Sequence, residues 1–316
     1  MSGDVRVRLG VSSCLLGHPV RFDGGHRRDA FVADTLGPYV EWVPVCPELE
    51  AGLGAPRPAL RLVKAGEDVR LVTVHGARDL TDVVRAHAVR RADELARLDL
   101  DGFVLKKDSP TCGRERVKVY GAGGRPARQG RGLFAQALAE RAPLLPMEEE
   151  GRLCDPALRE HFVERVFAHR RLRDLQSAPR PRAAFVAFHT RHKLQLLAHS
   201  PAHYAALGRM VAAGTRRREW WEEYAETFLS ALAVPATRAR HVNVLQHLAG
   251  YFRGRLEGTG RHALGGTIAD YQRGLVPLAV PTTLIAHHAQ RFGMDYVLGQ
   301  AYLQPHPRGL RAGSDA

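Results

Sequence analysis

Apolar and polar residues alternate at Val5, Val7, Leu9 and Val11, the period of a strand whose successive side chains point to opposite faces. Short apolar runs at 41–45 and 102–105 read as two further strands. A hairpin is predicted over 60–63 and 69–74, around Ala65-Gly66-Glu67-Asp68. Helical spacing takes over at Leu80, Val83, Val84, His87, Ala88, Arg91, Leu95 and Leu98, which predicts a helix over 79–98 started by Asp79 and Thr81-Asp82. A short helix is expected over 29–36, stopped by Gly37-Pro38, and another over about 132–141. The glycine-rich stretch 121–132 reads as a loop. Strands alternating with helices predict an α/β domain with a mainly parallel sheet.

The pattern changes after residue 145. Pro146-Met-Glu-Glu-Glu-Gly151 is acidic and reads as a linker, and beyond it the strand signals fade. Helices are predicted over 156–173, 183–199, 201–213, 217–232, 236–256, 262–275 and 280–291. Two domains are therefore expected, an α/β domain over 1–145 and an all-α domain over 152–305, which suits a chain of 316 residues. No period of 20–50 residues repeats, which excludes a solenoid. No run of about 18 apolar residues is present, and no apolar signal block opens the chain. A cytoplasmic protein without a membrane partner is expected, and nothing in the sequence indicates its oligomeric state.

Charge separates the two halves. Residues 1–150 hold 23 Lys+Arg against 21 Asp+Glu, and residues 151–316 hold 23 against 12, so nearly all of the net +13 lies in the second half. A surplus confined to one domain points to a polyanionic partner, nucleic acid or anionic lipid. Basic clusters there include Arg180 and Arg182, Arg191 and Lys193, and Arg216, Arg217 and Arg218. Such runs are also the ordinary solvent face of an amphipathic helix. Trp220-Trp221 reads as a core anchor in preference to a base-stacking surface. His189, His192 and His199 lie near helical spacing but have no local carboxylate to complete a metal site.

Four cysteines in such a chain do not form a disulfide framework. Cys154, at a helix entry, reads as a small buried apolar residue. The other three each follow a predicted strand: Cys14 after the first, Cys46 after 41–45, and Cys112 after 102–105. In an open parallel sheet the carboxyl ends of the strands converge on one crevice, so three thiols remote in sequence are expected to meet there. No Cys-x-x-Cys occurs, which excludes a zinc ribbon or a redox dithiol. Three thiolates favour a soft metal, either zinc completed by a fourth ligand or an iron–sulfur cluster. A cubane is normally held by four cysteines, so three leave one iron open as a Lewis acid. Glu48 and Ser109 lie beside these cysteines as candidate general acid–base groups. Each also has a plain structural reading, Glu48 as a loop carboxylate paired with Arg57 or Arg61, and Ser109 as a turn residue bonding local backbone.

Four blocks together resemble the thiouracil desulfidase (TudS-type) family: Val11-Ser-Ser-Cys-Leu-Leu-Gly17, Arg21-Phe-Asp-Gly-Gly25, Val45-Cys-Pro-Glu48 with Pro56-Arg57-Pro58, and Lys106-Lys107-Asp108-Ser109-Pro110-Thr111-Cys112-Gly113. Residues 153–300 resemble a helical domain of formerly unknown function often fused behind it, as in RudS-type tRNA 4-thiouridine desulfidases. The resemblance implies a 4Fe-4S cluster held by Cys14, Cys46 and Cys112, with the thiocarbonyl sulfur of a thiolated pyrimidine on the free iron. It implies that Glu48 activates water and that Ser109 bonds the substrate or assists proton transfer. Sulfur leaves as sulfide without net electron transfer. It also implies tRNA as partner, bound by the basic helical domain. Thr111 stands where the family often has Ser, a departure that touches none of these roles, and Cys154 stands where Asn is usual. Two other functions stay open on the residues alone: a desulfidase acting on free thiouracil or thionucleotides, and a non-enzymatic RNA-binding protein with a structural metal.

Overall fold

The computed structural model describes all residues except 1–5, 76–77, 122–123, 178–181, 215–217 and 312–316. The chain divides into two compact units, Met1–Arg170 with Gly309–Ala316, and Arg171–Arg308.

The first unit is built on a four-stranded sheet of β1 (Val7–Ser12), β2 (Val40–Val45), β5 (Gly102–Leu105) and β8 (Met147–Glu149), in the order β2-β1-β5-β8. Every neighbouring pair in it is parallel. The period-2 alternation sorts its side chains to two faces. Val7, Leu9 and Val11 join Val104, Val32 and Leu36 under Phe162, Val163 and Val166 of α4 (Pro156–Ser177). Phe103 and Leu105 point the other way, into Ala88, Ala92 and Leu95 of α2 (Thr81–Ala96) and Phe134 and Leu138 of α3 (Leu133–Arg141). The result is a sheet covered on both faces, as expected for an α/β fold with a mainly parallel sheet.

A second sheet was not legible in the sequence. The expected hairpin, β3 (Leu60–Ala65) and β4 (Asp68–Thr73), continues into β6 (Val117–Tyr120) and β7 (Pro126–Gly130), in the order β4-β3-β6-β7. The loop reading of 121–132 is thereby corrected, because β7 pairs antiparallel with β6 from Val117↔Gly130 to Tyr120↔Pro126. β7 lies at the sheet edge and is almost wholly exposed, so it carries no buried alternation to read. Pro126 opens the strand, where proline is tolerated.

The linker reading of Pro146–Gly151 is also corrected. Met147–Glu149 is a buried strand against β5, and Glu148, Glu149 and Glu150 are all buried. Each carboxylate has found a donor: Arg152 Nε for Glu148 (2.8 Å), the Arg114 N–H for Glu149 (2.7 Å), and Lys106 and the Lys107 N–H for Glu150. An acidic run is buried here because each carboxylate is satisfied, Glu149 and Glu150 by partners remote in sequence. α4 follows, and its residues up to Arg170 belong to the first unit, so the division falls at Arg170/Arg171 instead of at 145–152. A fragment ending at residue 150 is expected to lose its cooperative thermal transition, since it removes Phe162, Val163 and Val166, each worth about 1.5–3 kcal/mol of burial. A fragment ending at residue 170 keeps these three and loses only Leu310 from that cluster, and is expected to keep a cooperative transition.

The second unit is helical, as expected: α5 (Arg182–His199), α6 (Pro201–Ala213), α7 (Arg218–Ala233), α8 (Arg238–Gly250), α9 (Gly258–Arg273), α10 (Ala279–Arg291) and the short α11 (Asp295–Leu298). Its core gathers Leu194, Val242, Leu245, Phe252, Ile268 and Ile285. Trp221 is buried, and both tryptophans pack edge-on against Phe185 with ring centroids 4.8 Å apart, so this pair is a core anchor. Among the described residues no helix is long and apolar enough to cross a membrane.

Candidate active site

In the order β2-β1-β5-β8 the chain leaves β1 toward β2 on one side and toward β5 on the other. A crevice opens at the carboxyl ends of the strands at such a switch point, and the three cysteine loops lie there. Cys14 sits in the 3-10 turn Ser13–Leu16 directly after β1, closed by Gly17 at φ 98°. Cys46 follows β2 and caps α1 (Pro47–Glu50). Cys112 lies in the loop after β5, which is held from several sides. The Lys106 N–H donates to Ser12 Oγ (3.0 Å), tying the β5 exit to β1. The Thr111 carbonyl accepts from Phe134 and Ala135 in the first turn of α3 (3.0 and 3.2 Å). Gly132 makes that approach possible, since a Cβ there would run into the Thr111 carbonyl.

The three thiols line one cavity of about 350 Å³, together with Ser12, Glu48, Arg57, Lys106, Ser109 and Thr111. Cys14 and Cys112 are buried and Cys46 is half-buried. Burial pushes the Cys14 thiol up to about 11, with Lys106 and then Arg21 pulling the other way. Burial also raises Cys46, and complete burial raises Cys112 further, against a hydrogen bond from Ser12. Cys112 feels the charge of both other thiols, and Cys14 that of Cys46. Among the described residues, no group of three or more His, Cys, Asp or Glu side chains is arranged to hold a metal ion.

Glu48 lies in the cavity wall and is clamped at both oxygens. Oε2 accepts from Arg57 Nε (2.9 Å) and Nη2, and Oε1 accepts from Thr111 Oγ1 at 2.7 Å. The pairing with Arg57 is one of the two partners expected from sequence. Arg57 also reaches the Val20 and Gly54 carbonyls through Nη1 (3.0 and 2.7 Å), so one guanidinium fixes the carboxylate and two loops. Ser109 Oγ accepts the backbone N–H groups of Cys112 (3.0 Å) and Thr111 (3.3 Å) and lies 3.1 Å from Thr111 Oγ1. Thr111 has one hydroxyl proton, and the carboxylate, which only accepts, takes it. The proton between the two hydroxyls therefore belongs to Ser109, and the chain runs from Ser109 to Thr111 to Glu48.

Sequence reasoning missed two members of this site. Thr111 is no bystander, because its hydroxyl joins Ser109 to Glu48. Lys106 is paired with Glu150 from the far end of β8, a contact across 44 residues with no local signal. Thr111→Val is expected to lower kcat roughly tenfold or more, because an isosteric methyl leaves Glu48 Oε1 without its donor. Thr111→Ser is expected to restore most of it, as steady-state kinetics with the two variants will show. Cys154 is exposed, contrary to the buried reading, since it lies in the turn ahead of α4; its Sγ reaches the Glu150 carbonyl at 3.8 Å.

The expected RNA contacts fall in the second unit. Arg182 and Arg191 line an open cavity of about 680 Å³ with Val186, Thr190, Tyr296 and Gln300. The Lys193 ammonium lies 4.9 Å from the Tyr296 ring centroid. Arg180, Arg216 and Arg217 lie outside the described residues, as does the side chain of Arg218. His189, His192 and His199 are buried and hydrogen-bonded to Tyr224, the Phe188 carbonyl and the Val234 carbonyl.

A thiol-lined pocket with a clamped carboxylate, set at the switch point of an open parallel sheet, defines an α/β enzyme. Residues 9–150 match the family model described as 2-thiouracil desulfurase, and residues 193–307 match one described as a protein of unknown function, DUF1722. The chain belongs to the 2-thiouracil desulfurase family, as the sequence resemblance indicated, and carries the DUF1722 region behind it. Its activity is accordingly removal of sulfur from a thiolated pyrimidine. Relatives include the uncharacterized protein YbgA of Escherichia coli (strain K12), 34% identical over 147 residues, 46% of this chain and 87% of YbgA. The uncharacterized protein YbbK of Bacillus subtilis (strain 168) is 32% identical over 109 residues, 33% of this chain and 71% of YbbK. Among solved structures, the 4Fe-4S-dependent thiouracil desulfidase TudS is 30% identical, with 50% of this chain and 100% of that one covered and a TM-score of 0.40.

Proposed function

We propose that this enzyme converts 4-thiouridine in tRNA to uridine, with a 4Fe-4S cluster held by Cys14, Cys46 and Cys112. The observation that carries the reading is the meeting of three thiols and the Ser109–Thr111–Glu48 chain in one cavity. The donor set suits the cluster. Three soft ligands come from three strand ends and line one cavity, and a cubane gives each thiolate its own iron. Cys154 is not among the lining residues, so one iron is left without a protein thiolate. When bound, the cluster supplies that iron as a soft Lewis acid for sulfur.

The remaining chemistry belongs to side chains. Replacement of a thiocarbonyl by a carbonyl consumes one water and releases hydrogen sulfide, with no net electron transfer. Glu48 takes the proton of the attacking water. Arg57 holds the carboxylate in one orientation, and Thr111 fixes its second oxygen, so no rotation is needed at the moment of attack. Once Glu48 has taken the water's proton it becomes the donor, and the chain reverses: Glu48 gives a proton to Thr111, Thr111 gives its own to Ser109, and Ser109, fixed by two backbone N–H groups, passes its own toward the departing sulfur.

The tRNA reading is supported by the charge of the chain. The desulfurase half is nearly neutral, and the half behind it carries 23 Lys+Arg against 12 Asp+Glu, a division suited to a small chemical pocket joined to a phosphate-binding module. Desulfuration of thiolated tRNA and of free 2-thiouracil by the same anaerobically prepared enzyme tests it. A higher kcat/KM on the tRNA, falling steeply with salt, is expected. Turnover confined to the free base overturns it and leaves the enzyme a thiobase desulfidase. The family assignment sets aside the non-enzymatic reading.

A further inference from the structure

Phe22 lines the active-site cavity and is still 41% exposed. Its ring therefore forms part of the cavity rim. A single exposed phenylalanine is unremarkable on a protein surface, but this one sits on a loop held in place from within the site. The Phe22 carbonyl accepts the Arg57 N–H (2.9 Å), and Val20, two residues earlier, accepts Arg57 Nη1 (3.0 Å). The residue that clamps Glu48 thus also sets the position of the Phe22 backbone. The loop is closed on itself by Arg21 N–H to the Gly25 carbonyl (3.2 Å) and Gly24 N–H to the Arg21 carbonyl (3.0 Å).

The surroundings of the ring are cationic. The Arg21 guanidinium carbon lies 5.3 Å from its centroid, and Arg21 is paired with Asp23 at 3.4 Å. Arg27 and Lys107 also line the cavity, and both are exposed. Neither side chain has a carboxylate partner among the described residues. Asp108, the carboxylate beside Lys107, is taken by Arg128 (2.9 Å). A free thiobase would use only the interior of the cavity. An exposed aromatic ring and two exposed cations lining the same cavity match a strand of nucleic acid, whose bases stack and whose phosphates carry the charge.

We infer that Phe22 is a stacking platform for the base next to the thiolated nucleotide, with Arg27 and Lys107 receiving the adjoining phosphates. This rests on the RNA reading above and names the residues at the pocket mouth that distinguish a polymer from a free base. Phe22 is a positioning residue and touches no reacting atom.

The test uses the full-length, cluster-loaded enzyme. Phe22→Ala is expected to weaken binding of an unthiolated single-stranded RNA about tenfold by fluorescence anisotropy, and Phe22→Tyr to retain it. On an RNA carrying 4-thiouridine, kcat/KM is expected to fall by a similar factor, mostly through KM, and by clearly less on 2-thiouracil. Arg27→Ala with Lys107→Ala is expected to reduce the slope of log affinity against log salt by roughly one to two. Unchanged RNA binding by Phe22→Ala, or equal losses on polymer and free base, overturns the platform and leaves the RNA reading standing. A wild-type enzyme that neither binds nor desulfurates RNA removes both.

Discussion

Cys112→Ala is expected to bring the iron and acid-labile sulfide of anaerobically prepared protein close to zero, and to lower turnover by more than about a hundredfold. Losing a partner one shell away from a metal ligand typically costs 10–100-fold, and a ligand itself costs more. The three thiols come from three separate strand ends, and no other cysteine lines the cavity to replace one of them. Cys112 is also the most deeply buried of the three, packed with Phe103, Leu105 and Phe134, so its sulfur cannot be exchanged for a neighbour by a shift of the loop. Cys14→Ala and Cys46→Ala are expected to behave alike. Cys154→Ala is the control, because Cys154 is exposed in a turn ahead of α4, and it is expected to retain wild-type iron and turnover. Wild-type iron content in Cys112→Ala would end the assignment of the cluster to these residues.

The placement of these cysteines was legible because one rule of sheet topology carries it. A strand reads as an alternation or a short apolar run, and in a parallel sheet the residues just past the strands' carboxyl ends meet. Val5–Val11 alternation and the runs at 41–45 and 102–105 were enough to place Cys14, Cys46 and Cys112 together without any short motif. The helices of the second unit were legible for a similar reason, since α5, α8, α9 and α10 each turn an apolar stripe at helical spacing to the core of Leu245, Phe252 and Ile285.

The features that stayed hidden depend on partners remote in sequence. Glu148, Glu149 and Glu150 look like solvated linker until Arg114 and Lys106 are brought against them. That one misreading moved the domain boundary by some twenty residues, because α4 then belongs to the first core. β7 was hidden because an exposed edge strand has no buried face to impose a pattern. Thr111 was hidden because a hydroxyl in a turn ordinarily bonds its own backbone, as Ser109 does. Only the approach of α1 and the cysteine loop sets Thr111 2.7 Å from Glu48.

Glu48→Gln and Arg57→Ala are expected to disable the enzyme in two different ways. The amide of Glu48→Gln keeps the size of the side chain and an acceptor for one neighbour, but it has no basicity to accept the proton of water. General acid–base catalysis typically contributes 10²–10⁴-fold, and a loss of kcat in that range is expected, with iron content and KM little changed. Arg57→Ala leaves the Glu48 carboxylate in place. Both side chains of the pair are largely buried, at 5% and 13% exposure, and removal of one partner strands a charge in a site that cannot solvate it. Breaking a buried pair in this way costs about 3–5 kcal/mol, and Arg57 also supports the Val20 and Gly54 carbonyls. A fall in Tm of roughly 6–20 °C is therefore expected for Arg57→Ala, together with loss of activity, whereas Glu48→Gln is expected to shift Tm far less. The double variant Arg57→Ala with Glu48→Gln removes the stranded charge, and it is expected to recover part of the stability and none of the turnover. Differential scanning calorimetry read beside single-turnover kinetics separates the two roles. An Arg57→Ala protein as stable as wild type would show that solvent or another cation already satisfies Glu48, and the carboxylate would lose the fixed orientation on which its part in the reaction depends.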